Sequence, residues 1–84
     1  MILVSLHDAK AETWSLPRCA QNKATAIREF ATLCNDNAHT LVADHPADFD
    51  LFQIATAAEP FDGKIVPEGA PVHLANGNDV KRKE

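Results

Sequence analysis

The spacing of apolar positions changes several times along the chain, and each change marks an element. Ile2 to Leu6 (Ile-Leu-Val-Ser-Leu) is nearly continuous, the pattern of a central strand covered on both faces. Asp8 to Glu12 is polar and reads as a turn. Thr13 to Leu16 carries Trp14 and predicts a weak second strand, which Pro17 ends or confines to an edge. From Lys23 the spacing lengthens. Ile27, Phe30, Ala31 and Cys34 recur at i, i+3, i+4 and i+7, and with Ala24 and Ala26 they fill one side of a helical wheel. Thr25, Arg28, Glu29, Thr32 and Asp36 fill the other side, as expected for a surface helix lying on a sheet. Asn22 suits the N-cap. Asn35-Asp36-Asn37 ends the helix, because these side chains compete for backbone groups and tolerate left-handed conformations.

The second half is strand-like. His45-Pro46-Ala47-Asp48 predicts a single helical turn, since proline suits the first helical position and Asp48 the positive N-terminal end. Asp50 to Thr56 follows as a strand, with Phe52 and Ile54 on one face and Leu51 on the other. The Phe52/Ile54 face, with Leu3, is expected to meet the helix. Asp62-Gly63 is a hairpin signal. Lys64 to Val66 predicts a short strand, Pro67 to Gly69 a turn, and Val72 to Ala75 the last strand. The polar stretch from Asn76 reads as a mobile tail. The order is β(β)αβββ. It predicts an α+β domain over residues 1–76, a small mainly antiparallel sheet with one amphipathic helix on one face, and a basic tail over 77–84.

Size makes that domain marginal: 84 residues bury only roughly 60–65% of their unfolded surface, so a partner would help. The net charge of −4 is a poor match for DNA, whose attraction for proteins comes largely from phosphate neutralisation. Three of the eight basic residues, Lys81, Arg82 and Lys83, stand at the end of the chain, so the body is more acidic than the total. Aromatic residues are few (Trp14, Phe30, Phe49, Phe52 and Phe61), which limits base stacking. Cys19 and Cys34 could form one disulfide, but Cys34 falls on the apolar helix stripe and reads as a buried free thiol. No run approaches a membrane span, and the apolar start lacks the length of a signal-peptide core, so a cytoplasmic protein is expected.

Catalytic patterns are scarce. His7, His39, His45 and His73 show no paired metal-ligand spacing, and no Cys-x-x-Cys occurs. Asp44, Asp48 and Asp50 cluster in sequence but do not follow the calcium-loop pattern. Gly63, Gly69 and Gly77 stand singly, so no phosphate-cradling loop exists. The chain reads as a binding protein with no cofactor or metal, and not as an enzyme.

One stretch is more specific. His45-Pro46-Ala47-Asp48-Phe49-Asp50-Leu51-Phe52 resembles a His-Pro-x-Asp-[Phe/Tyr]-x-Leu-[Tyr/Phe] signature found in the small nonstructural protein of gokushoviruses and related microviruses, single-stranded DNA phages. Asn22 to Phe30 is similar to that family's Asn-x-x-x-Ala-Ile-Arg-x-Phe helix. Asp62 to Ile65 and Pro71 to Leu74 resemble its later turn and closing strand. The resemblance implies a protein made in the cytoplasm of the infected bacterium, absent from the mature virion, and assigned to viral DNA replication. It also implies a structural role for His45, Pro46, Asp48 and Phe49.

Two readings follow. In the first, the protein binds single-stranded DNA during genome replication, through Lys81, Arg82 and Lys83 with help from Lys23 and Arg28. In the second, it is an acidic adaptor for the replication initiator, the procapsid or a host factor, with no nucleic-acid contact. Exposed sheet edges add the expectation of a homodimer.

Overall fold

β1 (Ile2–Asp8) is the spine of a five-stranded antiparallel sheet. β4 (Phe49–Ala57) pairs along one edge of β1, and β5 (Ile65–Asn76) pairs with β4 beyond it. The other edge of β1 is shared: β2 (Thr13–Trp14) takes His7 and Asp8, and β3 (Arg18–Ala20) takes Ile2 to Val4. These relations come from the computed structural model, which describes residues 1–82. Ser15 fills the gap between β2 and β3. Its N–H donates to the Leu6 carbonyl at 2.8 Å, its Oγ accepts from the Leu6 N–H at 2.9 Å, and the Ser5 hydroxyl donates to its carbonyl at 2.7 Å. The β1 edge therefore keeps its hydrogen bonds where no strand covers it.

One face of the sheet carries α1 (Lys23–Cys34). The Asn22 side chain accepts from the Thr25 N–H at 2.9 Å and starts the helix, as the sequence predicts. Ala26, Phe30 and Cys34 are buried against Val4, Phe49, Leu51 and Ala75, with Ile27 half-buried at the margin. Behind α1 come α2 (Leu41–Asp44), capped by Thr40, and a 3-10 turn at Pro46–Asp48. α3 (Gly77–Val80) packs on α1 and on that turn. Among the described residues no helix is long and apolar enough to cross a membrane. The α+β class and the mainly antiparallel sheet are as predicted.

Three expectations are corrected. First, Leu51 and Val4, and not Phe52, Ile54 and Leu3, face α1. The buried positions of β4 are Phe49, Leu51, Gln53 and Ala55, while Phe52 and Ile54 are half-buried. Phe49 sets the phase, because it begins the strand already pointing into the core, and alternation carries Leu51 with it. Second, the two predicted short strands are one twelve-residue strand, β5. Its register against β4 slips between Gln53 and Ala55, where Glu68 to Pro71 are taken up between the Ala55–Pro67 and Gln53–Val72 pairs. Third, Asn76 opens a capped helical turn where a mobile tail was expected. Its side chain accepts from the Asn78 N–H at 2.9 Å, while Asp79 Oδ2 accepts from the Asn76 N–H at 3.0 Å.

Candidate functional site

The basic residues singled out from sequence do not converge. Lys23 and Arg28 are exposed on α1, on the helix side of the sheet. Lys81 and Arg82 lie at the opposite end of that helix from Lys23, about 16 Å away by helical rise. Lys81 is turned inward. Its Nζ donates to the Cys34 carbonyl at 2.6 Å and to the Ala43 carbonyl at 3.3 Å, so its charge completes the C-terminal ends of α1 and α2. Arg82 is exposed, with its backbone N–H held by Asn35 Oδ1 at 2.7 Å. Lys83 lies outside the described residues.

The His-Pro-x-Asp-Phe segment is the base of this arrangement. Pro46 opens the 3-10 turn, the Asp48 N–H closes it on the His45 carbonyl at 3.1 Å, and the Asp48 carbonyl accepts from the Ala9 N–H at 2.9 Å. Phe49 is buried and His45 is exposed. The Asn76 side-chain amide donates to the Ala47 carbonyl at 3.0 Å and to Asp50 Oδ1 at 3.0 Å. Gly77 lies so close that a Cβ there would overlap the Pro46 carbonyl. The motif therefore joins the start of β4 to the end of β5.

The opposite face of the sheet, which carries no helix, holds a group of rings that sequence reasoning did not assemble. Cross-strand pairing puts His7 opposite Trp14, Ser5 opposite Phe52, and Phe52 opposite His73. Each of the four rings comes from a different strand. Ring centroids are 4.6 Å apart for His7 and Trp14, 5.2 Å for Trp14 and Phe52, and 5.3 Å for Phe52 and His73. All three pairs are tilted or edge-to-face, the arrangements that aromatic quadrupoles favour. Trp14 remains 49% exposed. The signal was present in the period-2 alternation of β1 and β4, but it required the strand order to be read.

Asp50 belongs to the same face, two residues before Phe52 and paired in register with both His7 and Asn76. Its Oδ1 contacts His73 Nε2 at 2.9 Å and accepts from the Asn76 amide at 3.0 Å. The carboxylate is held in one orientation. No strand residue on this face is Lys or Arg.

A cleft of about 180 Å³ lies on the helix side, between α1 and the segment joining β2 to β3. Leu6, Leu16, Phe30 and Leu33 line it, with Arg18 and Glu29 as its charged side chains. It holds no nucleophile paired with a base. Cys34 is buried away from it, and burial pushes its thiol above the ordinary value despite the nearby Lys81 charge. Among the described residues, no group of three or more His, Cys, Asp or Glu is placed to hold a metal ion.

No curated protein and no solved structure matches the chain. The model of one protein family, described as Phage ORF5 protein, matches residues 1–80, and the chain belongs to that family of phage proteins.

Proposed function

We propose that this phage protein is a non-catalytic interaction module of the infected bacterial cell, and that it docks a protein partner on the open face of its sheet. The observation that carries the reading is the Trp14–His7–Phe52–His73 group, one ring from each of four strands, on a face without a helix. Aromatic side chains presented on a rigid sheet are the residues that dominate protein-binding energies, since they bury much area at little entropic cost.

Single-stranded DNA would also stack on such a face, as the first of the two sequence readings requires. Charge favours the protein partner. Stacking yields about 1–3 kcal/mol per base, but lasting affinity needs phosphate contacts, each of which adds to the salt dependence. The net charge is −4, and a carboxylate stands beside the rings. Of the basic residues, Lys81 is committed to two carbonyls, Lys23 and Arg28 are on the helix side, and the exposed Arg82 stands at the C-terminal end of α1. An acidic aromatic face suits a basic protein surface better than a polyanion.

The test uses the purified replication initiator and procapsid proteins of a phage that encodes this chain, beside a single-stranded DNA dodecamer. The expected outcome is saturable binding to one of the proteins, weakened at least tenfold by Trp14→Ala and unchanged by Arg28→Ala, with no binding of the DNA. DNA binding that Trp14→Ala abolishes would overturn the protein reading in favour of a nucleic-acid platform. Protein binding that Arg28→Ala abolishes and Trp14→Ala leaves intact would move the site to the helix side.

A further inference from the structure

We infer, on the docking reading above, that the anchor received by this face is an arginine side chain of the partner, stacked on Trp14 and Phe52 and paired with Asp50. The face contains the two halves of a guanidinium site, and its strands bring no lysine or arginine to it. Trp14 and Phe52 have centroids 5.2 Å apart with planes inclined at 58°, so their faces form an open angle and not a closed stack. Trp14 is half exposed, which leaves indole surface for a cation. Asp50 follows the same face of β4, about 7 Å along the strand from Phe52. The long arginine side chain spans that separation with ease.

The carboxylate is prepared for such a ligand. The Asn76 amide and His73 converge on Oδ1, which fixes the plane of the group and leaves Oδ2 as its second acceptor. Its side chain is only 25% exposed, so a pair formed there would be partly shielded from water. A guanidinium is planar, stacks on aromatic faces and is more weakly hydrated than an ammonium, so arginine gains more here than lysine. The acidic body adds long-range attraction for a basic partner and raises its association rate.

Trp14 is the chain's single tryptophan, so its fluorescence reports directly on the site. Full-length protein is titrated with blocked hexapeptides of arginine, lysine and glutamate. The arginine peptide is expected to change Trp14 emission saturably, about three- to tenfold more tightly than the lysine peptide, with no response to glutamate. Asp50→Asn keeps an oxygen acceptor for His73 and Asn76 but removes the charge, and it should weaken arginine binding by about tenfold. Asp36→Asn, an exposed charge at the end of α1, should leave it unchanged. Equal affinity for the arginine and lysine peptides, or equal losses from Asp50→Asn and Asp36→Asn, would mean diffuse charge attraction and overturn the arginine site. The preference of the unaltered protein decides the matter even if Asp50→Asn folds poorly. If Trp14→Ala weakens the phage partner while no arginine peptide binds, the docking face stands and the arginine anchor falls. If Trp14→Ala leaves that partner's binding intact, both fall.

Discussion

Leu51 and Phe52 are neighbours in sequence that serve opposite faces of one strand, and much of the protein's design turns on that alternation. Leu51 is sealed under α1 with Phe30, while Phe52 is half-buried among rings on the open side. Their removal should therefore differ in cost. Phe30→Ala is expected to lose about 3–5 kcal/mol, the usual range for a buried aromatic side chain. Phe52→Ala should lose about 1–2 kcal/mol, because water already reaches that site. Urea unfolding of the two variants checks this, and equal losses would mean that the faces of β4 are assigned the wrong way round. The sequence reading set the wrong face of β4 against the helix, since the strand is apolar at Leu51, Phe52 and Ile54 and no local rule ranks its two faces. Phe30 and Cys34, by contrast, were legible, because a 3.6-residue repeat has only one apolar side. Cys34 supports a second expectation. Its folded thiol titrates above the unfolded one because burial disfavours the thiolate. Its contribution to stability is thus fully present below the ordinary thiol range, about 8.5, and is lost as pH rises through it. At neutral pH, a thiol reagent should label exposed Cys19 quickly and Cys34 only on unfolding, as mass spectrometry would show.

At the scale of elements, the short helices act as fasteners. α3 is a single turn, too short to persist alone, and it is held by its Asn76/Asp79 capping box, by Gly77 against Pro46 and by Lys81 on two helix ends. Gly77→Ala must displace the Pro46 carbonyl and so should separate α3 from the 3-10 turn. The expected sign is loss of hydrogen-exchange protection at the Lys81 amide, which donates to the Gly77 carbonyl at 3.0 Å. Lys81→Met keeps the aliphatic stem and removes the charged donor, at a cost of about 1–3 kcal/mol. A Lys81→Met protein as stable as the parent would return this lysine to the free surface where the sequence had put it. Polar composition made residues 77–82 look like a tail, because helix capping and inward lysine contacts depend on partners far away in sequence. The His45–Phe49 motif was legible as a turn, and with the α1 pattern it pointed to a phage family. Its purpose was not legible, since Asn76 and Gly77, which dock on it, lie some thirty residues later.

The whole molecule shows how such a small sheet keeps its edges from sticking to other sheets. β5 lies at one edge and spans twelve residues, long enough to invite pairing with a second copy. Two of those residues are Pro67 and Pro71, which lack N–H donors, and the strand bulges where they occur. At the other side, β2 and β3 are two and three residues long and are offset around Ser15. Neither edge offers a long uninterrupted row of backbone groups. These features disfavour an edge-paired homodimer, and the aromatic face offers a second surface on which two copies could meet. Two copies meeting there would bring two Asp50 carboxylates together in an acidic protein, which like-charge repulsion disfavours. Purified protein is accordingly expected to run as a monomer of about 9 kDa at tens of micromolar in light scattering. Trp14 emission should not change on dilution. A dimer whose dissociation on dilution alters Trp14 emission would mean that the face is closed by a second copy, and the search for a basic partner there would end. A dimer with Trp14 unaltered would place the contact away from that face.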